Sequence, residues 1–243
     1  MLKGLDVSSY QGSVPWQRVA SEMACRFALV KVAEGLLSSP DPWAARSAAG
    51  AREAGLVIGG YFFLHAERDV EAQAKLHFKL ASDLGVGIEG DLPFAVDFES
   101  PEPTTWASLG LTALELRQRG LAYCQAVRDL SGGVAPFLYT YPDFWRELQG
   151  ATEPRFATFP LWQAAFTVPY QSWPVDGQSP NVLRPWTSWC FWQFSDRGKL
   201  PGGGGVDLDV FWGEETDLQA LRKKNPGTLE GTPEFVVPDP TST

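Results

Sequence analysis

Residues 92–99 read Leu-Pro-Phe-Ala-Val-Asp-Phe-Glu, an apolar, strand-like run that closes on two carboxylic acids with one residue between them. Successive side chains of a strand point to opposite faces, so Asp97 and Glu99 project from one face with Cα atoms roughly 6.5–7 Å apart. Two acids side by side against apolar surface resist ionising together, which leaves one as a proton donor and the other as an anion. That division is the minimum equipment for splitting a glycosidic bond.

Other ionisable residues occupy comparable positions. Asp6 ends a first apolar run, Lys31 and Glu34 end a second, and Asp207 with Asp209 lies in the last. Acids gathered from distant segments at one cleft are electrostatically costly unless they serve chemistry. Aromatic residues follow the same pattern: Tyr61 with Phe62 and Phe63, Tyr139 and Tyr141, Trp162, and Trp192 beside Gln193. Sugars present apolar C–H faces edged by hydroxyls, and a groove of aromatic faces with acids and amides at its rim suits them.

The elements that would position these groups alternate. Strand patterns at 2–7, 27–33, 56–64, 92–99 and 136–140 are separated by helical patterns at 16–24, 42–54, around Val70–Leu84, and 111–130. Alternation of this kind predicts parallel βα units. Further strands at 159–164, 188–194 and 206–210 follow without long helices between them. The expected fold is α/β, an irregular TIM-like β/α barrel of about eight strands and five main helices with a β-rich second half; such barrels carry chemistry at the carboxyl ends of their strands. Residues 1–222 form the predicted catalytic barrel, and residues 223–243, rich in Pro, Thr and Gly, read as a tail or linker.

Composition narrows the possibilities. The 243 residues carry a net charge of −9, the wrong sign for neutralising phosphates, so nucleic acid is not an expected partner. No apolar run reaches the roughly 18 residues of a membrane span, and the start of the chain enters a strand pattern without a secretory signal. Cys25, Cys124 and Cys190 fit neither a disulfide framework nor a metal motif and read as buried thiols. The chain has two histidines, His65 and His77, and His77 falls on an amphipathic helical face where a satisfied, partly buried side chain is expected. No G-x-S-x-G nucleophile elbow occurs, and Gly202–Gly205 lacks the Lys-Ser/Thr of a phosphate-binding loop. Zinc would need more His or Cys, whereas the carboxylates taken alone leave room for calcium.

The ordered set Gly4-Leu5-Asp6-Val7-Ser8-Ser9-Tyr10-Gln11-Gly12, Val30-Lys31-Val32-Ala33-Glu34-Gly35, Tyr61-Phe62-Phe63, Val96-Asp97-Phe98-Glu99, Leu138-Tyr139-Thr140, Pro160-Leu161-Trp162, Trp192-Gln193-Phe194-Ser195 and Val206-Asp207-Leu208-Asp209-Val210-Phe211 resembles the glycoside hydrolase family 25 lysozymes, from residue 3 to about 212. The resemblance implies an N-acetylmuramidase that hydrolyses the β-1,4 bond from N-acetylmuramic acid to N-acetylglucosamine in bacterial peptidoglycan. It implies Glu99 as general acid, Asp97 as the group that orients or stabilises the reacting sugar, and Asp6 and Asp207 as the rest of an acidic floor. Tyr61, Tyr139 and Trp162 would line the saccharide groove, with Lys31, Glu34 and Gln193 as further contacts and with no cofactor or metal. It also implies a monomer acting on the bacterial cell wall, extracellular or released by a phage from its host's cytoplasm. A non-catalytic wall-binding module, or a glycosidase for another β-1,4 glycan, would share the fold.

Three positions depart from the family pattern. Phe62 stands where His is common, Ala33 where Thr is common, and Asp209 where Asn is common. The stereochemical course stays open between retaining, inverting and substrate-assisted routes, because it depends on the distance between carboxyls.

Overall fold

The computed structural model describes residues 1–100, 106–169, 172–175 and 177–222; the predicted tail at 223–243 lies outside them. Eight strands close into one barrel in chain order. They are β1 (Leu2–Val7), β2 (Cys25–Glu34), β3 (Val57–Phe63), β4 (Ala95–Asp97), β5 (Phe137–Thr140), β6 (Leu161–Ala164), β7 (Phe191–Lys199) and β8 (Gly205–Phe211). Among the described residues six α-helices flank them: α1 (Trp16–Glu22), α2 (Ala44–Glu53), α3 (Val70–Asp83), α4 (Ala113–Leu130), α5 (Pro142–Glu147) and α6 (Glu215–Ala220).

Pairing is parallel from β1 through β7, and β8 runs antiparallel to both of its neighbours. The barrel mouth is therefore built from the carboxyl ends of seven strands and the amino end of β8. The fourth strand is shorter than its sequence pattern, since Pro93 offers no N–H to a ladder and regular pairing starts at Ala95. The seventh begins at Phe191 rather than Ser188 and runs on to Lys199 as one arm of a hairpin with β8.

Period-two alternation sorts each strand into an inner and an outer face. Inside, Phe27, Phe137, Phe191 and Phe211 form a plug of rings 5.0–5.2 Å apart, each at most 1% exposed. Gly4 keeps this plug compact, because a Cβ there would lie 2.4 Å from the Phe27 ring. Outside, helices pack on the barrel through a second, larger apolar layer. The buried stripe of α4 is Leu116, Gly120, Tyr123, Cys124 and Val127; of Leu114, Leu121, Val127 and Leu130, the apolar residues whose spacing predicts the helix at 111–130, Leu114 and Leu130 are exposed. Small Gly120 and Cys124 let α4 approach the barrel, which places the stripe one step round the helix from its largest leucines.

Candidate active site

The chain reverses its surroundings at Phe98. The Leu64 N–H donates to the Asp97 carbonyl at 3.0 Å, and the Phe98 N–H donates to the Tyr139 carbonyl at 3.0 Å, so the backbone stays extended just past β4. Phe98 points outward, packs edge-on against Phe144 at 5.1 Å between ring centroids and abuts the bare backbone of Gly120. With Phe98 anchored in the outer layer, the side chains before and after it face the mouth. Asp97 and Glu99 both line a cleft of about 960 Å³.

The floor of this cleft comes from the strands that close the barrel. Asp6 lies opposite Asp207 in the antiparallel β1–β8 register, and Gly4 lies opposite Asp209. Gln193 on β7 bridges the floor to the aromatic wall: its Nε2 donates to Asp6 Oδ2 at 2.8 Å, and its Oε1 accepts from the Tyr139 hydroxyl at 3.0 Å. Trp162 stands between Tyr139 and Tyr61, with ring centroids 4.6 and 5.9 Å away, and its Nε1 donates to Asp209 Oδ1 at 2.8 Å.

Burial controls the protonation of these acids. Asp97 is 7% exposed, and its carboxyl is held well above the usual range, first by loss of water and then by the charge of Glu99, with which it is in hydrogen-bonding contact. Two carboxyls in such contact share a proton and titrate as a pair. Asp6 is raised for the same leading reason, with Asp209 as its strongest charged neighbour. Asp207 is pushed up to about 8 by burial, Asp6 and Asp196. The acids of the cleft floor thus hold their protons to higher pH than free carboxyls do.

At the rim the charges are paired. Lys31 Nζ lies 2.7 Å from Glu34 Oε2, and His65 Nε2 lies 3.0 Å from Glu34 Oε1. The other His65 nitrogen is 2.9 Å from Glu67 Oε1. The bond to His65, assisted by Lys31, brings Glu34 down to about 2, and Glu34 in turn raises His65. Glu34 is thus an anion held between Lys31 and His65.

All ten residues singled out as site candidates line this one cleft: Glu99, Asp97, Asp6 and Asp207, together with Tyr61, Tyr139, Trp162, Lys31, Glu34 and Gln193. Fully buried Asp209 lies beneath it, and two aromatic neighbours do not reach it. Trp192 points outward and donates to the Ala165 carbonyl, and Phe62 packs on His77, Phe78 and Phe94 in the outer layer. Their parity is opposite to that of Gln193 and Tyr61, a signal present in the sequence. The cleft also gains Tyr10, 93% exposed, and Phe166, 55% exposed, from loops without periodicity to announce them. His65 as a partner of Glu34 had no local signal either. Among the described residues no group of three or more His, Cys, Asp or Glu side chains could hold a metal ion, and no helix is long and apolar enough to cross a membrane. The three cysteines are buried free thiols.

Comparison with known proteins agrees with this architecture. The model for "Glycosyl hydrolases family 25" matches residues 5–203. The Escherichia coli O157:H7 protein YegX is 34% identical over 90% of this chain and 73% of its own length. The N,O-diacetylmuramidase of Arthroderma benhamiae is 28% identical over 91% of this chain and 87% of its own. Among solved structures, a muramidase from Trichobolus zukalii superposes with a TM-score of 0.76 at 29% identity, covering 94% of this chain and 100% of that one. A barrel whose last strand is reversed so that its first acid meets the first strand's, matched along most of its length by that family's model, makes this chain a glycoside hydrolase that belongs to glycosyl hydrolases family 25.

Proposed function

We propose that this enzyme hydrolyses bacterial peptidoglycan at the β-1,4 bond between N-acetylmuramic acid and N-acetylglucosamine, with Glu99 as general acid and Asp97 assisting. The observation that carries the reading is the contacting Asp97–Glu99 pair at the mouth of an aromatic-walled cleft, set there by the outward anchor of Phe98. Muramidases and lysozymes among the relatives support the same substrate class.

Before a sugar binds, the pair shares one proton. A bound N-acetyl sugar would present its amide N–H to Asp97, which favours the Asp97 anion and leaves the proton on Glu99. Glu99 then protonates the departing glycosidic oxygen while the acetamido carbonyl attacks the anomeric carbon, and Glu99 activates the water that completes hydrolysis. Contact between the two carboxyls is shorter than the roughly 6.5–9.5 Å that places a water for direct inversion. Net retention is the expected outcome. Asp6 and Asp207 complete the acidic floor, Tyr61, Tyr139 and Trp162 carry sugar faces, and Lys31, Glu34 and Gln193 hold hydroxyls and amides. The enzyme acts as a monomer on the cell wall, from outside the cell or after release from a phage-infected host.

Mass spectrometry of muropeptides after digestion tests the bond: products ending in reducing N-acetylmuramic acid are expected. Binding to walls without new reducing ends would replace the proposal with a non-catalytic module, and cleavage confined to chitin-like glycans would replace the substrate. Proton NMR of the first-formed anomer tests the route, which net inversion would refute.

A further inference from the structure

Asp209 is fully buried, and Trp162 occupies only its Oδ1; among the described residues Asp209 Oδ2 finds no donor. A buried carboxylate oxygen without a partner is costly, and such an atom in a well-packed interior calls for an explanation. Asp209 lies opposite Gly4 across the barrel seam, and the side chain diagonal to it on the same face is Asp6, within hydrogen-bonding reach and already accepting from Gln193 through Oδ2. Two carboxylates cannot bond to each other, whereas a carboxyl and a carboxylate can.

We infer that Asp209 is a positioning residue: it shares one proton with Asp6 and thereby ties the acidic floor to Trp162, so that the floor and the aromatic wall keep one geometry. The inference rests on the muramidase reading above and deepens it. A continuous chain results, from the Tyr139 hydroxyl through Gln193, Asp6, the shared proton and Asp209 to the Trp162 indole, closing on Tyr139 through the Tyr139–Trp162 ring contact. The pair then carries one negative charge. Asparagine at 209 could close the same chain with an N–H in place of the proton. Aspartate adds a group that titrates.

The charged and titratable surroundings of the pair are Asp207 on β8, Cys25 on β2, and Asp97 and Glu99 at the end of β4, with Tyr61 and Tyr139 on β3 and β5; β6 and β7 present the neutral Trp162 and Gln193. Burial raises Asp209 to about 7 against the hydrogen bonds with Asp6 and Trp162, which favour its anion, while the nearby charge of Asp207 adds a smaller push upward. Once the shared proton leaves, two buried like charges face each other; the N–H donors of Trp162 and Gln193 favour each anion, so the repulsion falls on the contact between Asp6 and Asp209 itself.

The test compares the full chain with Asp209→Asn, whose amide oxygen keeps Trp162 and whose N–H donates to Asp6. In difference infrared spectra at pH 6, the variant should lose one protonated-carboxyl C=O band. Because Asp209 has a raised folded pKa, its contribution to stability is complete below about pH 4 and erodes as pH rises to about 7. The wild type minus variant stability difference should therefore fall across that window. On peptidoglycan, the alkaline limb of kcat/KM should change from a two-proton fall, about 100-fold per pH unit, to a one-proton fall, about tenfold. An unchanged carboxyl band, a flat stability difference or an identical alkaline limb in the folded variant overturns the inference. If the variant does not fold, a carboxyl ¹³C titration of the wild type decides: coupled two-step shifts at Asp6 and Asp209 support it, and independent single steps overturn it. The infrared, stability and NMR readouts need no substrate, so a protein that leaves peptidoglycan intact would sink the functional reading while they judge the proton sharing separately.

Discussion

His77 offers a prediction whose size can be worked from the structure. It is fully buried on α3, where Nε2–H donates to the Gly35 carbonyl at 2.7 Å and Nδ1 accepts from the Tyr123 hydroxyl of α4. Gly35 follows Glu34 at the cleft rim in a left-handed conformation, φ 53°, so the imidazole pins the rim loop to two helices. Both ring nitrogens are used by the neutral ring, and a second proton would displace the Tyr123 hydroxyl. Burial, partly offset by the bond to Gly35, lowers the ring's pKa from 6.5 to about 4. A group with a depressed folded pKa contributes stability above its unfolded pKa and loses it as pH falls through the folded one. The span from 6.5 to about 4 corresponds to about 3 kcal/mol, complete above pH 7 and gone near pH 4. The comparison is urea denaturation of the wild type and His77→Gln at intervals from pH 4 to pH 8. At pH 8 the variant should be less stable by about 1–3 kcal/mol, since Tyr123 loses its acceptor. Toward pH 4 the gap should close or reverse. A stability difference that stays constant over this range would refute the reasoning.

Three further outcomes are expected. Glu99→Gln should keep its thermal midpoint and lose about 10²–10⁴ in kcat/KM, measured as reducing ends released from cell walls, because an amide cannot supply the leaving-group proton. In Gly120→Ala the new Cβ would sit 2.4 Å from Phe98 Cε1; overpacking of about 1–3 kcal/mol is expected, together with a lower kcat from a displaced Asp97–Glu99 pair, checked by denaturation and initial rates. Clearing of cell walls should proceed at the same rate in EDTA, since shared protons and the N–H donors of Gln193 and Trp162 offset the floor's charge.

Much of this architecture was legible locally. Alternation of side chains along a strand is a property of the backbone alone, so placing Asp97 with Glu99, and Tyr61 apart from Phe62, needs no knowledge of neighbours. The helical stripe of α3, including buried His77, follows in the same way from a period of 3.6. Errors fell where large leucines outweighed small residues, as on α4, where Gly120 and Cys124 set the contact face. They also fell at Trp192, a strand-end aromatic whose parity sends it away from the cleft.

Amino-acid order by itself determined which residues share a strand face, where strands and helices alternate, and that the chain carries a net charge of −9, because each depends on periods of a few residues or on summed charge. Tertiary structure alone decided that β8 runs backwards, and so that Asp207 meets Asp6 and Asp209 comes to rest under Trp162. Strand direction and barrel closure arise from pairing between segments about 200 residues apart, and the proton relationships of the floor exist only after that pairing has removed the water.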